Sequence, residues 1–226
     1  MLKEFLHSKF SLLCLSATLV LFYPVAFIDK GAIELVINQY HLPYLDVYFK
    51  YITHLGDGLT LAVLLLILLF SNYTLAIITS FSIVFQSIFV SLFKRWLFKG
   101  LERPLAFFDE SISLHLVDGV DVHSYNTFPS GHTATGFTLF ALILLMFKNR
   151  TVILSTLLFF FAFSVGFSRV YLMQHFVIDA YFGALIGVLS VLLGLYLAEL
   201  LFKDDQLERW SNSSLADKLF KKRSLT

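Results

Sequence analysis

Three short polar stretches interrupt an otherwise apolar chain, and each contains residues able to do chemistry. KRWLFKGLERP (94–104) carries Lys94, Arg95, Lys99 and Arg103. FPSGHT (128–133) carries Ser130, Gly131 and His132, and SRVYLMQHFVID (168–179) carries Arg169, His175 and Asp179. Pro129-Ser130-Gly131-His132 reads as a helix start. Serine can cap it, glycine lets a ligand approach closely, and exposed N–H groups with the positive end of the helix dipole suit an anion. His175 and Asp179 are four residues apart, hence on one helical face. A carboxylate bonded to one ring nitrogen fixes the tautomer and leaves the other nitrogen free to attack. Arg169, six residues before His175, can reach the same point, and a guanidinium grips phosphate oxygens with paired hydrogen bonds. Arg103 precedes a proline that stiffens the turn presenting it, whereas basic residues at a membrane edge commonly reach for headgroups. Cations, a helix N-terminus, a His–Asp pair and a second histidine together suit phosphoryl transfer, which is mostly positioning and charge stabilisation. A divalent metal is the competing chemistry. The clusters hold more cations than carboxylates, so neither metal nor cofactor is expected.

These groups need elements to hold them. With 58% hydrophobic and 15% charged residues among 226, the chain is far more apolar than a soluble domain. Uncharged runs near 18–20 residues match a bilayer core and predict an all-α integral membrane protein. Six spanning helices are expected, at 10–28, 55–70, 73–93, 131–147, 151–167 and 176–201. The first reads as a retained anchor rather than a signal peptide, because Tyr23, Pro24 and Phe27 stand where small residues would be cleaved. Counting crossings puts all three clusters on one face of the membrane, and costly ionisable groups converging there predict one site. Basic residues at 3, 9, 148, 150 and in the tail favour both termini inside, and so the clusters outside. Residues 33–58 read as a surface-lying segment with tyrosines at headgroup level, and 202–226 as a cytoplasmic tail. The chain reads as a single domain. A net charge of +1 gives no field for nucleic acid, and a lone cysteine, Cys14, has no internal partner. His7, His41 and His54 read as surface residues. His115 and His123 lie in a long loop, 105–127, that either caps the site or is simply solvated.

The three stretches resemble the motifs of the type 2 phosphatidic acid phosphatase (PAP2) superfamily, written K-x6-RP, PSGH and SR-x5-H-x3-D. The second and third match in full. In the first, Arg103-Pro104 is present, but the position seven before Arg103 is Trp96, with Lys94 two residues further away. Two inserted residues would leave Lys94 at the helix end, within reach of phosphate. The resemblance, covering 94–179, implies that His175 attacks phosphorus to form a phosphohistidine, oriented by Asp179. It implies that His132 protonates the leaving oxygen and then helps activate water. Lys94, Arg103, Ser130, the Gly131 N–H and Arg169 would hold the phosphate, without metal. It further implies a bilayer-embedded lipid substrate entering sideways: undecaprenyl diphosphate, phosphatidylglycerol phosphate, phosphatidic acid or lipid A, at the outer face of a bacterial inner membrane. Two other readings stand beside it. One is a phosphotransferase using the same site, the other a transporter or binding protein that holds a phospholipid without cleaving it.

Overall fold

The computed structural model describes residues 1–211 and 213–216, and these are helical apart from loops and one isolated bridge between Glu102 and Tyr125. In chain order the helices are α1 (Leu2–Leu6), α2 (Lys9–Phe27), α3 (Ala32–Gln39), α4 (Pro43–Ile52), α5 (Gly58–Ser71), α6 (Tyr73–Ser91), α7 (Pro104–Phe107), α8 (Gly131–Leu145), α9 (Val152–Tyr171), α10 (Val177–Leu201) and α11 (Asp204–Ser211). A 3₁₀ turn, Thr53–Gly56, follows α4, and a π turn, Leu92–Leu97, continues α6. The starts obey local chemistry. The side chains of Ser8, Asn72, Ser130 and Thr151 each accept an N–H from the first turn of the next helix. Pro43 opens α4 and Pro104 opens α7, where a missing N–H costs nothing. Lys218, Lys221, Lys222 and Arg223, used above to orient the chain, lie outside the described residues, as does the end of the expected tail.

Among the described residues, four helices are long and apolar enough to cross a bilayer: Lys9–Phe27, Tyr73–Leu97, Val152–Tyr171 and Val177–Leu201. A fifth span results if Pro43–Gly56 and Gly58–Ser71, bent by 53° at Asp57, are taken together. The sixth expected span, α8, is apolar but only 15 residues long. At 1.5 Å per residue it reaches about 22 Å, short of a hydrocarbon core of about 30 Å. Its surroundings explain how it stays buried: every residue from Thr133 to Leu142, with Leu144 and Leu145, is covered by other helices rather than by lipid. The segment read above as surface-lying is helical, forming α3 and α4, and α5 begins at Gly58 rather than at residue 55.

Helix α10 packs chiefly on α6 and α8, and α8 on α9. Gly183 and Gly187 set the α8–α10 distance. A Cβ at either would stand 2.5 Å from a backbone oxygen of α8, that of Ser130 or of Ala134. Small residues one turn apart let two membrane helices touch backbone to backbone. That contact lies directly beneath the PSGH start of α8.

The 105–127 loop is not a solvated arm. Its second half is fastened along its length. Asn38 on α3 exchanges two hydrogen bonds with the His115 backbone, and His115 Nε2 lies 3.0 Å from Asp46 on α4. The ring of His115 stacks on His41 at 3.7 Å. Val117 packs with Phe49, Tyr171 and Leu172, and Lys50 Nζ donates to Asp118 O. Further on, Gln174 Nε2 donates to Asp121 O, the Arg103 N–H to Ser124 O and the Thr127 N–H to Leu101 O.

Candidate active site

The turn between α9 and α10 builds the core of the site. Arg169 is on the last turn of α9, and its carbonyl accepts the N–H groups of both Gln174 and His175, at 2.9 and 3.0 Å. His175 is thereby tucked under the helix end and is only 1% exposed. Asp179 is the third residue of α10, where a carboxylate can reach back to the helix start. Its Oδ2 accepts the Phe176 N–H at 2.8 Å, and accepts the Thr127 hydroxyl as well. The same oxygen is 3.4 Å from His175 Nδ1, with Thr127 Oγ1 3.3 Å from that nitrogen. Thr127 therefore bridges the pair. With Nδ1 turned toward Asp179 and Thr127, Nε2 is the nitrogen left to face a ligand. Burial drives the His175 pKa well below its ordinary value, and the charges of Arg103, Arg169 and Lys94 act in the same direction. A histidine held neutral keeps the lone pair that a nucleophile requires.

The start of α8 is tied to this turn, since the Ser130 N–H donates to Asp179 O at 3.0 Å. Ser130 Oγ accepts both the N–H and the hydroxyl of Thr133, at 3.3 and 2.8 Å, which leaves its own hydrogen to donate elsewhere. The residue before, Pro129, follows a cis peptide bond, and Phe128 packs edge-on against Phe98 and Phe182.

Cations surround the two histidines. Arg103 donates from Nε to Tyr125 O and from Nη1 to both oxygens of Gln174, which fixes its plane. Burial lowers the Arg103 pKa, with Asp179 opposing, yet a guanidinium stays charged at neutral pH. Arg169 Nη1 donates to Thr53 Oγ1 at 2.7 Å, and its buried Nε has no partner among the described residues. Lys94 is half-buried in the π turn, under the influence of the charges of Arg103, Arg169 and Asp179, while Trp96 is 81% exposed and Arg95 and Lys99 face outward. π turns are wider than α turns and take up extra residues. Here the turn keeps Lys94, not position 96, directed at the site. All eight residues singled out from the sequence thus come together: Lys94, Arg103, Ser130, Gly131, His132, Arg169, His175 and Asp179.

Four others were not anticipated. Thr127 contacts both His175 and Asp179, and Gln174 accepts from Arg103. Thr53 and Asp57 come from the bend between α4 and α5. His132 Nε2 is 2.8 Å from Asp57 Oδ1, so the site holds two carboxylates where the sequence suggested one. Two of the four had a faint signal. Thr127 abuts FPSGH, and Asp57 stands as an acid just ahead of an apolar run. His54, taken above as a plain surface residue, lies 3.1 Å from Asp57 Oδ2.

The architecture is shared with known proteins. The chain superposes on the crystal structure of Aquifex aeolicus LpxE with a TM-score of 0.64 and 26% identity, covering 76% of this chain and 97% of that one. It also superposes on the transmembrane PAP2-type phosphatidylglycerolphosphate phosphatase of Bacillus subtilis with a TM-score of 0.56 and 22% identity, covering 84% and 98%. A lipid A 1-phosphatase from Porphyromonas gingivalis is 35% identical over 79 residues. Those residues are 35% of this chain and 18% of that protein. The sequence model of the PAP2 superfamily matches residues 75–203, more than half of the chain and all three polar stretches. The chain belongs to the PAP2 superfamily.

Proposed function

We propose that the protein is a membrane phosphatase that removes phosphate from a lipid through a phosphohistidine, without a metal ion. The observation that carries this reading is a buried His175 at the meeting point of Lys94, Arg103, Arg169 and the N-terminus of α8. In this reading His175 Nε2 attacks phosphorus while Thr127 and Asp179 hold Nδ1. The three cations, the Ser130 hydroxyl and the Gly131 N–H take the equatorial oxygens, whose charge grows in the transition state. His132 passes a proton to the leaving oxygen and later takes one from the water that hydrolyses the intermediate.

A lipid substrate is supported by an apolar cavity of about 520 Å³ between α2, α9 and α10, which takes in Thr133 at the start of α8. A phosphorylated headgroup at the site leaves its acyl chains beside this groove, open to the bilayer. The proposed topology is six crossings, with α8 as a short inner span, both termini cytoplasmic and the site on the outer face of a bacterial inner membrane. Among substrates, lipid A and phosphatidylglycerol phosphate rank first, since the named relatives act on these. Undecaprenyl diphosphate and phosphatidic acid share the chemistry.

The test is phosphate release by the purified protein in detergent from those four lipids, with EDTA present, beside a His175→Ala variant. Release that survives EDTA and disappears in the variant is the expected result. Lipid that binds but is never cleaved would instead support a transporter or binding protein. Release that appears only when a second lipid is added, and is recovered on it, would mark a phosphotransferase.

A further inference from the structure

Asp57 is the residue before α5, a position from which an aspartate ordinarily turns back to cap the helix, yet its side chain makes no cap bond. Its two oxygens instead lie 2.8 Å from His132 Nε2 and 3.1 Å from His54 Nδ1. The bend that carries Asp57 is pressed against α8. A Cβ at Gly56 would come 2.7 Å from His132 O. Thr53, in the same turn, receives Arg169. Residues 53–57 thus form a fourth wall of the site, supplied by a segment outside the three motifs.

We propose that Asp57 is a positioning residue for His132, so that the site holds a second carboxylate–imidazole pair beside Asp179 and His175. This inference rests on the phosphatase reading above. A carboxylate at Nε2 fixes the proton there and leaves Nδ1 as the nitrogen that exchanges a proton with substrate. The negative charge of Asp57 acts on His132 against those of Arg169 and Lys94. The proposed step balances as follows. The His175 Nε2 lone pair forms the N–P bond, the P–O bond to the lipid breaks, and its electron pair takes the proton from His132 Nδ1. His132 is left neutral, its Nε2–H still on Asp57. Water then attacks phosphorus, gives a proton to Nδ1, and the N–P electrons return to His175.

The experiment compares Asp57→Asn with wild type on two phosphate esters, the lipid that wild type cleaves and p-nitrophenyl phosphate. A nitrophenolate leaves without a proton; an alkoxide does not. Asp57→Asn is expected to lower kcat/KM on the lipid by about 100-fold, within the range typical of lost acid–base catalysis, and on the aryl ester by less than about threefold. Placed in a His132→Gln background it is expected to cost nothing further, because the two act as one unit. An equal fall on both esters, or a full additional loss in the His132→Gln background, would overturn the proposal. Asp57→Glu keeps the charge and guards against a misfolded Asn variant. The same leaving-group bias in weaker form supports the assignment, and its absence refutes it. If wild type cleaves neither ester, the phosphatase reading fails and takes this inference with it. Activity on the lipid with no bias in any Asp57 variant refutes this inference alone.

Discussion

Replacing Gly183 with alanine tests whether the spacing of α8 and α10 sets the geometry of the site. A Cβ there meets Ser130 O at 2.5 Å and Thr133 Cβ at 3.0 Å, and ordinary contact begins at 3.4 Å. The obstacle at Ser130 is backbone, so no side chain can rotate away and the helices must part by about 0.9 Å. Ser130 and His132 ride on α8, whereas Asp179 rides on α10 and orients His175. The parting therefore falls between the phosphate cradle and the nucleophile. A displacement near 1 Å costs on the order of 100-fold in rate, and overpacking costs about 1–3 kcal/mol of stability. The assay is kcat/KM for phosphate release in detergent, read beside the melting temperature. Gly58→Ala is the control, since nothing lies within 4 Å of a Cβ at that position. A Gly183→Ala protein with wild-type kcat/KM, within about twofold, and an unchanged melting temperature would refute the argument that this contact positions the chemistry.

Three further predictions follow from the site. Thr127→Val keeps the shape but removes the hydroxyl that bridges His175 and Asp179, so kcat is expected to fall about tenfold with KM little changed, and stability by about 1 kcal/mol; steady-state kinetics and a thermal melt read both. Lys94→Ala is expected to cost about 100-fold in kcat/KM while Arg95→Ala stays within about twofold, and the reverse order would show that the π turn presents the wrong cation. His175 contributes a pH dependence whose sign is fixed. Its folded pKa is depressed, so below about 6.5 the unfolded chain binds a proton that the folded protein does not. Stability is full above that pH and declines as pH falls, by up to about 1.4 kcal/mol per unit. Melting temperatures between pH 7.5 and 5.5 are expected to slope less in His175→Gln than in wild type, and identical slopes would count against a buried neutral histidine.

The motif residues were legible because their geometry is local. His175 and Asp179 share a helix start, and Ser130 to His132 share another, so spacing alone places them. Uncharged runs marked α2, α6, α9 and α10 within a few residues. What escaped was tertiary. Arg169 and Thr53 are 116 residues apart in sequence, and nothing in the string THLGD announces that it meets two motif residues across the bundle. The bend at Asp57 falls between Gly56 and Gly58, just ahead of an apolar run, and hydrophobicity reports burial and not direction. Helix α8 looked like an ordinary span for the same reason. Its shielding by neighbours involves close packing on Gly183 and Gly187, whose role a sequence does not reveal. Trp96 at the expected lysine position was resolved only by the π turn, a matter of backbone winding.

The fastened loop has a consequence for selectivity. A protein that folds a flap over its ligand can choose between ligands by how readily each triggers closure, and it then waits for the flap to reopen. Here the rim at 115–127 is bolted to α3, α4, the α9–α10 turn and the 101–103 segment before any ligand arrives. Such a rim acts as a fixed aperture. On the phosphatase reading, such an aperture predicts that an oversized headgroup loses association rate rather than turnover, and that releasing His115 from Asp46 broadens the range of lipids admitted without slowing the chemistry on those already accepted.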